Sequence, residues 1–220
     1  MANKTALIIG ATGLVGEEML KQLLLLPQYD KVIALTRRPL DIKNAKLENP
    51  VVDFDKPEQY NKIKADDVYC AMGTTIGKAG SKAAFKKVDF EIPLAVAKLA
   101  LDNGASKFIL VSSMGADAKS LVFYSRTKGE LEQALAKLKY KAVIIFRPSI
   151  LLGDRKEHRT GEEIGRFVSE KLSFLFAGPL AKYRGTPADV LAKAMIKISG
   201  ENVTGVRIME NDEIFKIAEK

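Results

Sequence analysis

Cysteine, histidine and tryptophan are nearly absent from this sequence of 220 residues, which contains one cysteine, one histidine and no tryptophan. A single cysteine, Cys70, cannot form an internal disulfide, so nothing indicates an oxidising compartment. The lone histidine, His158, lies among charged residues, and together with Cys70 it provides no ligand set for a catalytic metal ion. We therefore expect a cytoplasmic protein without a metal site.

Long apolar runs are missing as well. The longest leucine run, Leu23 to Leu26, is followed by Pro27 and is far shorter than the roughly 20 apolar residues that a membrane helix needs. The apolar stretch from Ala6 to Ile9 is too short for a secretory signal and runs directly into glycine. The sequence therefore predicts neither a membrane segment nor export.

Acidic residues are in the minority, because 27 Asp and Glu oppose 35 Lys and Arg, for a net charge of +8. This balance favours a polyanionic partner such as a nucleic acid, a membrane surface or a phosphorylated cofactor. The basic residues are scattered, with pairs at Arg37-Arg38 and Lys86-Lys87 and no longer run. We therefore do not expect a dedicated nucleic-acid surface; nucleic-acid binding is an alternative that requires these charges to cluster and predicts an affinity that falls with salt.

Short apolar segments alternate with segments of helical spacing along the chain. Strands are predicted at 5–10, 31–36, 50–54, 67–71, 107–111, 141–146 and 203–209. Helices are predicted at 14–26, 88–103, 123–139 and 162–176, with another beginning at Thr186-Pro187. Continuously apolar strands separated by helices predict a parallel sheet covered on both faces, that is, a doubly wound α/β Rossmann fold. We expect one domain over 1–220, in which 149–220 contribute a small substrate-side lobe and the last strand.

Three glycines in the segment Gly10 to Gly16 lie where the first strand turns into the first helix. Backbone N–H groups and a helix N-terminus at such a turn can bind a pyrophosphate. The spacing is G-x-x-G-x-x-G rather than the G-x-G-x-x-G of the simplest dinucleotide-binding units. The alternative is a glycine turn that only lets the helix pack on the strand, but the position favours a dinucleotide site.

The end of the second strand carries Arg37 and Arg38 and no carboxylate. A carboxylate there would bind the ribose 2′-hydroxyl of NAD, whereas two guanidinium groups favour a 2′-phosphate. We therefore predict NADP(H) over NAD(H), although a solvated turn before Pro39 is the alternative interpretation. Asp53 and Phe54 close the third predicted strand, where an adenine would lie, and are equally consistent with an ordinary strand end.

Tyr124 and Lys128 form a Tyr-x-x-x-Lys pair on one face of a predicted helix. Tyrosine, with a free pKa of about 10, is a poor proton donor unless a nearby cation lowers that pKa. Tyr60 and Lys64 show the same spacing, but only Tyr124 follows serines at the end of a strand, where open parallel sheets bind ligands. Ser113 is therefore predicted to polarise the substrate oxygen, although turn residues are the alternative for both Ser112 and Ser113.

Several of these segments together resemble the extended and atypical short-chain dehydrogenase/reductases over nearly the whole chain. The resemblance is more specific to the Tat-interacting-protein oxidoreductase branch, through the segments CAMGTTIGKAG at 70–80, 112–117 and FRPSILLGDR at 146–155. It implies that Ser113, Tyr124 and Lys128 carry the chemistry. The cofactor-binding residues that it implies are Gly10, Thr12, Gly13, Leu14, Val15, Arg37, Arg38, Asp53, Phe54, Cys70, Ala71, Gly73, Ser112, Tyr124, Lys128 and Pro148. Cys70 as a buried apolar thiol is an alternative interpretation.

These residues predict an NADPH-dependent oxidoreductase that transfers a hydride to a small carbonyl substrate. The alternative is a protein that senses NADPH and reports to a protein partner, with little or no catalysis. A nucleotide triphosphatase is rejected because Lys78 comes one residue early for a phosphate loop and Ala79 replaces the hydroxyl that would bind Mg²⁺. The sequence leaves a homo-oligomer or a protein partner open.

Overall fold

The computed structural model describes residues 4–153 and 183–219. The strands in these ranges are β1 (Lys4–Ile9), β2 (Tyr29–Leu35), β3 (Leu47–Glu48), β4 (Asp67–Cys70), β5 (Lys107–Val111), β6 (Ala142–Arg147), β7 (Leu151–Leu152), β8 (Thr186–Pro187) and β9 (Gly205–Glu210). Seven of them form a parallel sheet in the order β3-β2-β1-β4-β5-β6-β9, and β7 and β8 form a separate parallel pair. The chain therefore has the doubly wound Rossmann architecture that the sequence predicts.

The helices cover both faces of this sheet. In the described residues they are α1 (Leu14–Leu25), α2 (Ile76–Ala79), α3 (Lys82–Lys86), α4 (Ile92–Asp102), α5 (Phe123–Ala136), α6 (Ala188–Gly200) and α7 (Asn211–Glu219), with a 3₁₀ turn at Pro57–Gln59 and a π-helical turn at Lys87–Glu91. Consecutive strand residues point to opposite faces. Thus Ile8 packs with α1, α6 and α7, whereas Ile9 packs with α4 and α5.

The strand order reverses between β1 and β4. β2 and β3 lie on one side of β1, and β4, β5, β6 and β9 lie on the other. Ligands of open α/β sheets bind at the carboxyl ends of the strands beside such a reversal. The N–H of Ala71 donates to the carbonyl of Ile9 at 3.0 Å, which joins the two strand ends at this point.

The third strand differs from the prediction. It covers Leu47–Glu48, and the predicted segment 50–54 makes only a single bridge, between Val51 and Thr36. Pro50 has no backbone N–H, so it cannot donate to a continuous ladder. The Asn49 side chain compensates, since its amide donates to the Ala34 carbonyl at 2.7 Å.

The C-terminal part of the chain gives a mixed result. Helix α6 begins after Thr186-Pro187 as predicted, and β9 corresponds to the predicted strand 203–209. The prediction missed α7 and the β7–β8 pair. The predicted helix 162–176 and His158 lie outside the described residues, so the substrate-side lobe over 149–220 stays a prediction.

No helix in the two described ranges is both long enough and apolar enough to cross a bilayer.

Candidate functional site

The glycine turn between β1 and α1 packs so closely that two of its glycines cannot carry a side chain. Gly10 has φ +83°, and a Cβ there would lie 2.5 Å from the Ala71 carbonyl carbon. A Cβ on Gly16 would lie 2.0 Å from the Gly10 oxygen. The two positions bring the N-terminus of α1 against the end of β4.

The N-terminus of α1 is open toward this reversal point. Gly13 precedes the helix and supplies no side-chain cap, and Thr12 and Gly13 are exposed. The first N–H groups of a helix have no intrahelical acceptor and favour an anion. Leu14 is half-buried and touches Gly153, and Val15 is buried in the core. The turn therefore fits a pyrophosphate through backbone groups rather than through charged side chains.

Arg37 and Arg38 lie at the carboxyl end of β2, and both are exposed. Neither forms an ion pair with a carboxylate within the described ranges, so both remain available to a ligand phosphate. The backbone that carries them is fixed by Asn49, which accepts from the Leu40 N–H at 2.7 Å and donates to Thr36 Oγ1 at 2.8 Å. Thr36 Oγ1 in turn donates to the Arg38 carbonyl at 2.6 Å. The two guanidinium groups therefore project from an ordered loop.

Asp53 and Phe54 differ in exposure, since the Asp53 side chain is exposed and the Phe54 side chain is buried. The Asp53 carboxylate is exposed, accepts from the Asp55 N–H at 3.0 Å and lies 3.9 Å from Lys56 Nζ. The Phe54 ring is buried and packs 5.8 Å from the ring of Tyr60, measured between centroids. The Phe54 ring is therefore engaged in the core, whereas the Asp53 carboxylate is open to solvent.

The end of β4 brings three predicted residues to the reversal point. The Cys70 side chain is fully buried, and burial raises the pKa of its thiol to about 12, so it stays neutral at pH 7. Ala71 is half-buried beside the glycine turn, and Gly73 is exposed. Cys70 therefore contributes backbone and bulk to the site, and its sulfur is not a nucleophile.

Lys128 and Tyr124 lie one turn apart on α5, beside the ends of β4 and β5. Lys128 Nζ is buried and lies 2.7 Å from Asp89 Oδ1 in the π-helical turn. Burial alone would lower the pKa of Lys128, but Asp89 and then Tyr124 outweigh it, so the pKa lies above its usual value. The Tyr124 ring is half-buried and packs 5.5 Å from the Phe85 ring. The pair thus places a phenol one helical turn from a buried ammonium that Asp89 favours in its charged form.

The competing pair, Tyr60 and Lys64, is not arranged in this way. The Tyr60 hydroxyl is buried and donates to the Phe54 carbonyl at 3.1 Å, whereas Lys64 is exposed. The Tyr60 hydroxyl therefore stabilises the loop after β3 and is not available as a proton donor to a ligand.

The two predicted serines face different surroundings. The Ser112 hydroxyl is buried and donates to Glu132, which forms a salt bridge with Arg147 at 2.6 Å. Its side chain therefore belongs to a polar network beneath the site, and only its backbone can meet a cofactor. Ser113 is half-buried, and its hydroxyl makes a long 3.3 Å contact with the Met114 carbonyl, which leaves it able to turn toward a ligand.

Pro148 ends β6 next to this serine loop. It is buried, and its carbonyl accepts from the Met114 N–H at 2.9 Å. This hydrogen bond fixes the loop that carries Ser113 against the segment predicted to lie beside the nicotinamide.

Three residues around the site were missed by the sequence analysis, namely Asn49, Asp89 and Glu132. A signal existed for Asp89, which lies three residues before Ile92 and seven before Val96 on the apolar face of the predicted helix. An acidic residue on a buried face requires a partner, and Lys128 is that partner. Asn49 and Glu132 act through contacts between separate segments, which the local pattern does not reveal.

The comparison with protein families agrees with this geometry. A family model described as NAD(P)H-binding matches residues 10–167, which is more than half of the chain. The chain belongs to this NAD(P)H-binding family.

Curated relatives of this NAD(P)H-binding protein match it over nearly its full length. Protein FMP52, mitochondrial, from Candida albicans is 36% identical over 96% of this chain and 96% of its own. Protein HTATIP2 from Rattus norvegicus is 34% identical over 99% of this chain and 90% of its own. The second name agrees with the Tat-interacting-protein branch that the sequence resembles. The word mitochondrial in the first name differs from the cytoplasmic location expected from the sequence.

Solved structures show the same fold at low identity. MoeE5 in complex with UDP-glucuronic acid and NAD has a TM-score of 0.70 at 15% identity, over 93% of this chain and 75% of that one. A short chain dehydrogenase family protein from Francisella tularensis has a TM-score of 0.67 at 14% identity, over 96% and 99% of the two chains. At this low identity, the likenesses establish the Rossmann fold and nothing further.

Proposed function

We propose that this protein is an NADPH-dependent oxidoreductase that reduces a small carbonyl compound. The observation that carries the proposal is the buried ammonium of Lys128, one helical turn from Tyr124 and beside the end of β4. The ammonium lies beneath Gly73 in the segment after β4, and Ala71 of the same segment packs against the glycine turn, which favours chemistry on a bound dinucleotide. Membership of the NAD(P)H-binding family supports the same class of cofactor.

The described residues fit such a dinucleotide. The uncapped N-terminus of α1 would hold the pyrophosphate, and the Asp53 carboxylate would accept from the adenine amine. Arg37 and Arg38 would bind a 2′-phosphate and offer nothing specific to a free 2′-hydroxyl. Bound NADPH would supply the hydride.

The side chains would move and stabilise the proton. Tyr124 would donate its hydroxyl proton to the carbonyl oxygen of the substrate as negative charge develops there. Lys128 would stabilise the resulting phenolate, because it keeps its positive charge in a buried setting. Ser113 would donate a second hydrogen bond to the same oxygen.

Removal of the phenol hydroxyl tests this assignment. We expect Tyr124→Phe to leave the NADPH Kd within about threefold and to lower kcat by about 10²- to 10⁴-fold, the usual contribution of a general acid. The measurement is loss of NADPH absorbance over a panel of small aldehydes and ketones. Tyr140→Phe is the matched control, because the Tyr140 hydroxyl donates to the Ala97 carbonyl away from the site.

Two results would contradict the proposal in different ways. Unchanged turnover in Tyr124→Phe would remove this residue from the mechanism. Tight NADPH binding without consumption over the whole panel would instead leave a cofactor-sensing role, and a partner retained only in the presence of NADPH would support that role.

A further inference from the structure

Asp89 is an acidic residue in the interior, paired with the lysine that lies one helical turn from the proposed proton donor. It belongs to the π-helical turn Lys87–Glu91, in which each hydrogen bond closes a wider loop than in an α-helix. The residue is fully buried. A buried carboxylate is unfavourable unless it is paired, and π-helical turns occur frequently at functional sites. The turn therefore places a charge where a core normally accepts an apolar side chain.

Two elements share this carboxylate. Lys128 Nζ of α5 lies 2.7 Å from Oδ1, and the Thr74 N–H of the loop after β4 donates to Oδ2 at 2.9 Å. A Cβ on Gly73 would lie 3.4 Å from both Asp89 Oδ1 and Lys128 Nζ. The ion pair thus lies directly beneath an exposed glycine of the loop proposed to line the dinucleotide.

The charges around Lys128 give Asp89 a specific role. Titratable groups of three elements face the ammonium, namely Asp89 of the π-helical turn, Tyr124 of α5 and Cys70 of β4. At pH 7 the buried Cys70 thiol is neutral, since burial raises its pKa to about 12. Among these groups Asp89 therefore supplies the negative charge that opposes burial of the lysine.

We propose that Asp89 is a positioning residue, which fixes the Lys128 ammonium for Tyr124 and ties it to the loop at Gly73 and Thr74. The inference rests on the proposed reductase function, because it gives the fixed ammonium a role in proton transfer. Lysine has a flexible four-carbon stem, so it takes a defined position only where a partner holds it. Because one carboxylate binds both Lys128 and the Thr74 N–H, it fixes the position of the lysine relative to the loop.

The substitution Asp89→Asn tests this role, because it keeps the shape and an oxygen for the Thr74 N–H but removes the charge. Without that charge, burial dominates and the pKa of Lys128 falls. We expect the alkaline limb of the kcat profile to move down by about one pH unit or more. At pH values above the shifted limb we also expect kcat to fall about tenfold relative to the wild type, while the NADPH Kd changes less than about threefold.

Glu130→Gln is the matched control. Glu130 lies on the same helix and pairs with Lys86 of α3 at 3.8 Å, but both side chains are partly exposed to solvent, unlike Asp89 and Lys128. This variant should leave both the alkaline limb and kcat unchanged. A merely structural Asp89 would lower kcat equally at every pH and leave the limb in place, and that result would overturn the proposal.

A spectroscopic titration separates this inference from the proposed function. The side-chain ¹H–¹⁵N signal of Lys128, assigned by its loss in Lys128→Arg, should titrate at lower pH in Asp89→Asn whether or not a carbonyl is reduced. An unchanged titration would overturn the role of Asp89, whereas failure to reduce any carbonyl would overturn only the proposed function.

A second variant covers the case in which Asp89→Asn does not fold. Asp89→Glu keeps the charge and lengthens the arm, so we expect the Lys128 titration to stay high while kcat falls at all pH values. Wild-type kcat in Asp89→Glu would show that the position of the carboxylate is unimportant and would contradict the proposal.

Discussion

Arg37 is the side chain on which the proposed preference for NADPH depends most directly. It is exposed at the end of β2, on backbone that the Asn49 and Thr36 side chains hold in place. A loop that is already ordered loses little entropy when a phosphate binds. A guanidinium on such a loop would therefore lose little of its attraction for a 2′-phosphate to ordering of the backbone.

We expect Arg37→Ala to raise the NADPH Kd by about 10- to 100-fold, because a charge-assisted hydrogen bond contributes about 1.5–3 kcal/mol. The NADH Kd should change little, since NADH has no 2′-phosphate. Thermal shifts with each cofactor measure both, because a ligand that binds only the folded state raises stability. Lys43→Ala, at an exposed lysine further along the same loop, controls for the loss of one positive charge. Equal weakening of both cofactors would contradict a 2′-phosphate contact.

At the scale of elements, the loop between β5 and α5 packs closely against α5 because Gly129 has no side chain. A Cβ on Gly129 would lie 2.1 Å from the Ala118 nitrogen and 2.3 Å from the Asp117 carbonyl carbon. The Asp117 N–H also donates to the Ser125 carbonyl at 3.1 Å. The close contact sets the distance between Ser113 on the loop and Tyr124 on the helix.

Gly129→Ala should therefore separate binding from turnover. The methyl group meets backbone atoms, so the loop must move, and a misplacement of about 1 Å can cost about 10²-fold in rate. We expect kcat to fall at least about tenfold and the NADPH Kd to change less than about threefold, measured on the purified variant. Gly200→Ala, where a Cβ would meet nothing within 4 Å, is the control. Normal kcat in Gly129→Ala would show that the loop position is not limiting.

Elements also show what the sequence could and could not predict. β1, β4 and β5 appear as short buried apolar runs, and local hydropathy is enough to find them. The predicted position of β3, 50–54, is wrong because Pro50 interrupts the backbone hydrogen bonds and the Asn49 side chain replaces them. This replacement depends on contact with β2, which local hydropathy does not reveal. Tyr124 and Lys128 follow from helical spacing, whereas the Asp89–Lys128 pair joins residues far apart in the chain through a π-helical turn. Long-range pairs of this kind leave only indirect traces in the sequence, such as an acid on an apolar face.

Across the whole molecule, a buried polar network that stabilises the fold and the candidate site lie at opposite ends of the sheet. At the amino ends of the strands, the Tyr29 hydroxyl contacts the buried Asp67 carboxylate at 2.7 Å and the Tyr69 hydroxyl at 2.9 Å. Tyr69 continues to Ser199 of α6 at 2.6 Å, and Lys4 pairs with Asp67 at 3.1 Å. This network connects β1, β2, β4 and α6, far from the glycine turn at the carboxyl ends.

Loss of one hydroxyl from this network should weaken the fold and leave the site intact. Tyr29→Phe leaves the buried Asp67 carboxylate short of a donor, so we expect the free energy of unfolding to fall by about 1–3 kcal/mol. Tyr140→Phe removes a hydrogen bond to a neutral carbonyl and should cost less, about 1 kcal/mol. Urea unfolding of both variants measures the difference, and NADPH binding should be unchanged in each. If Tyr29→Phe lowered the free energy of unfolding by less than Tyr140→Phe, the prediction would be wrong. The Asp67 carboxylate would then be stabilised by Lys4 alone, without the Tyr29 hydroxyl.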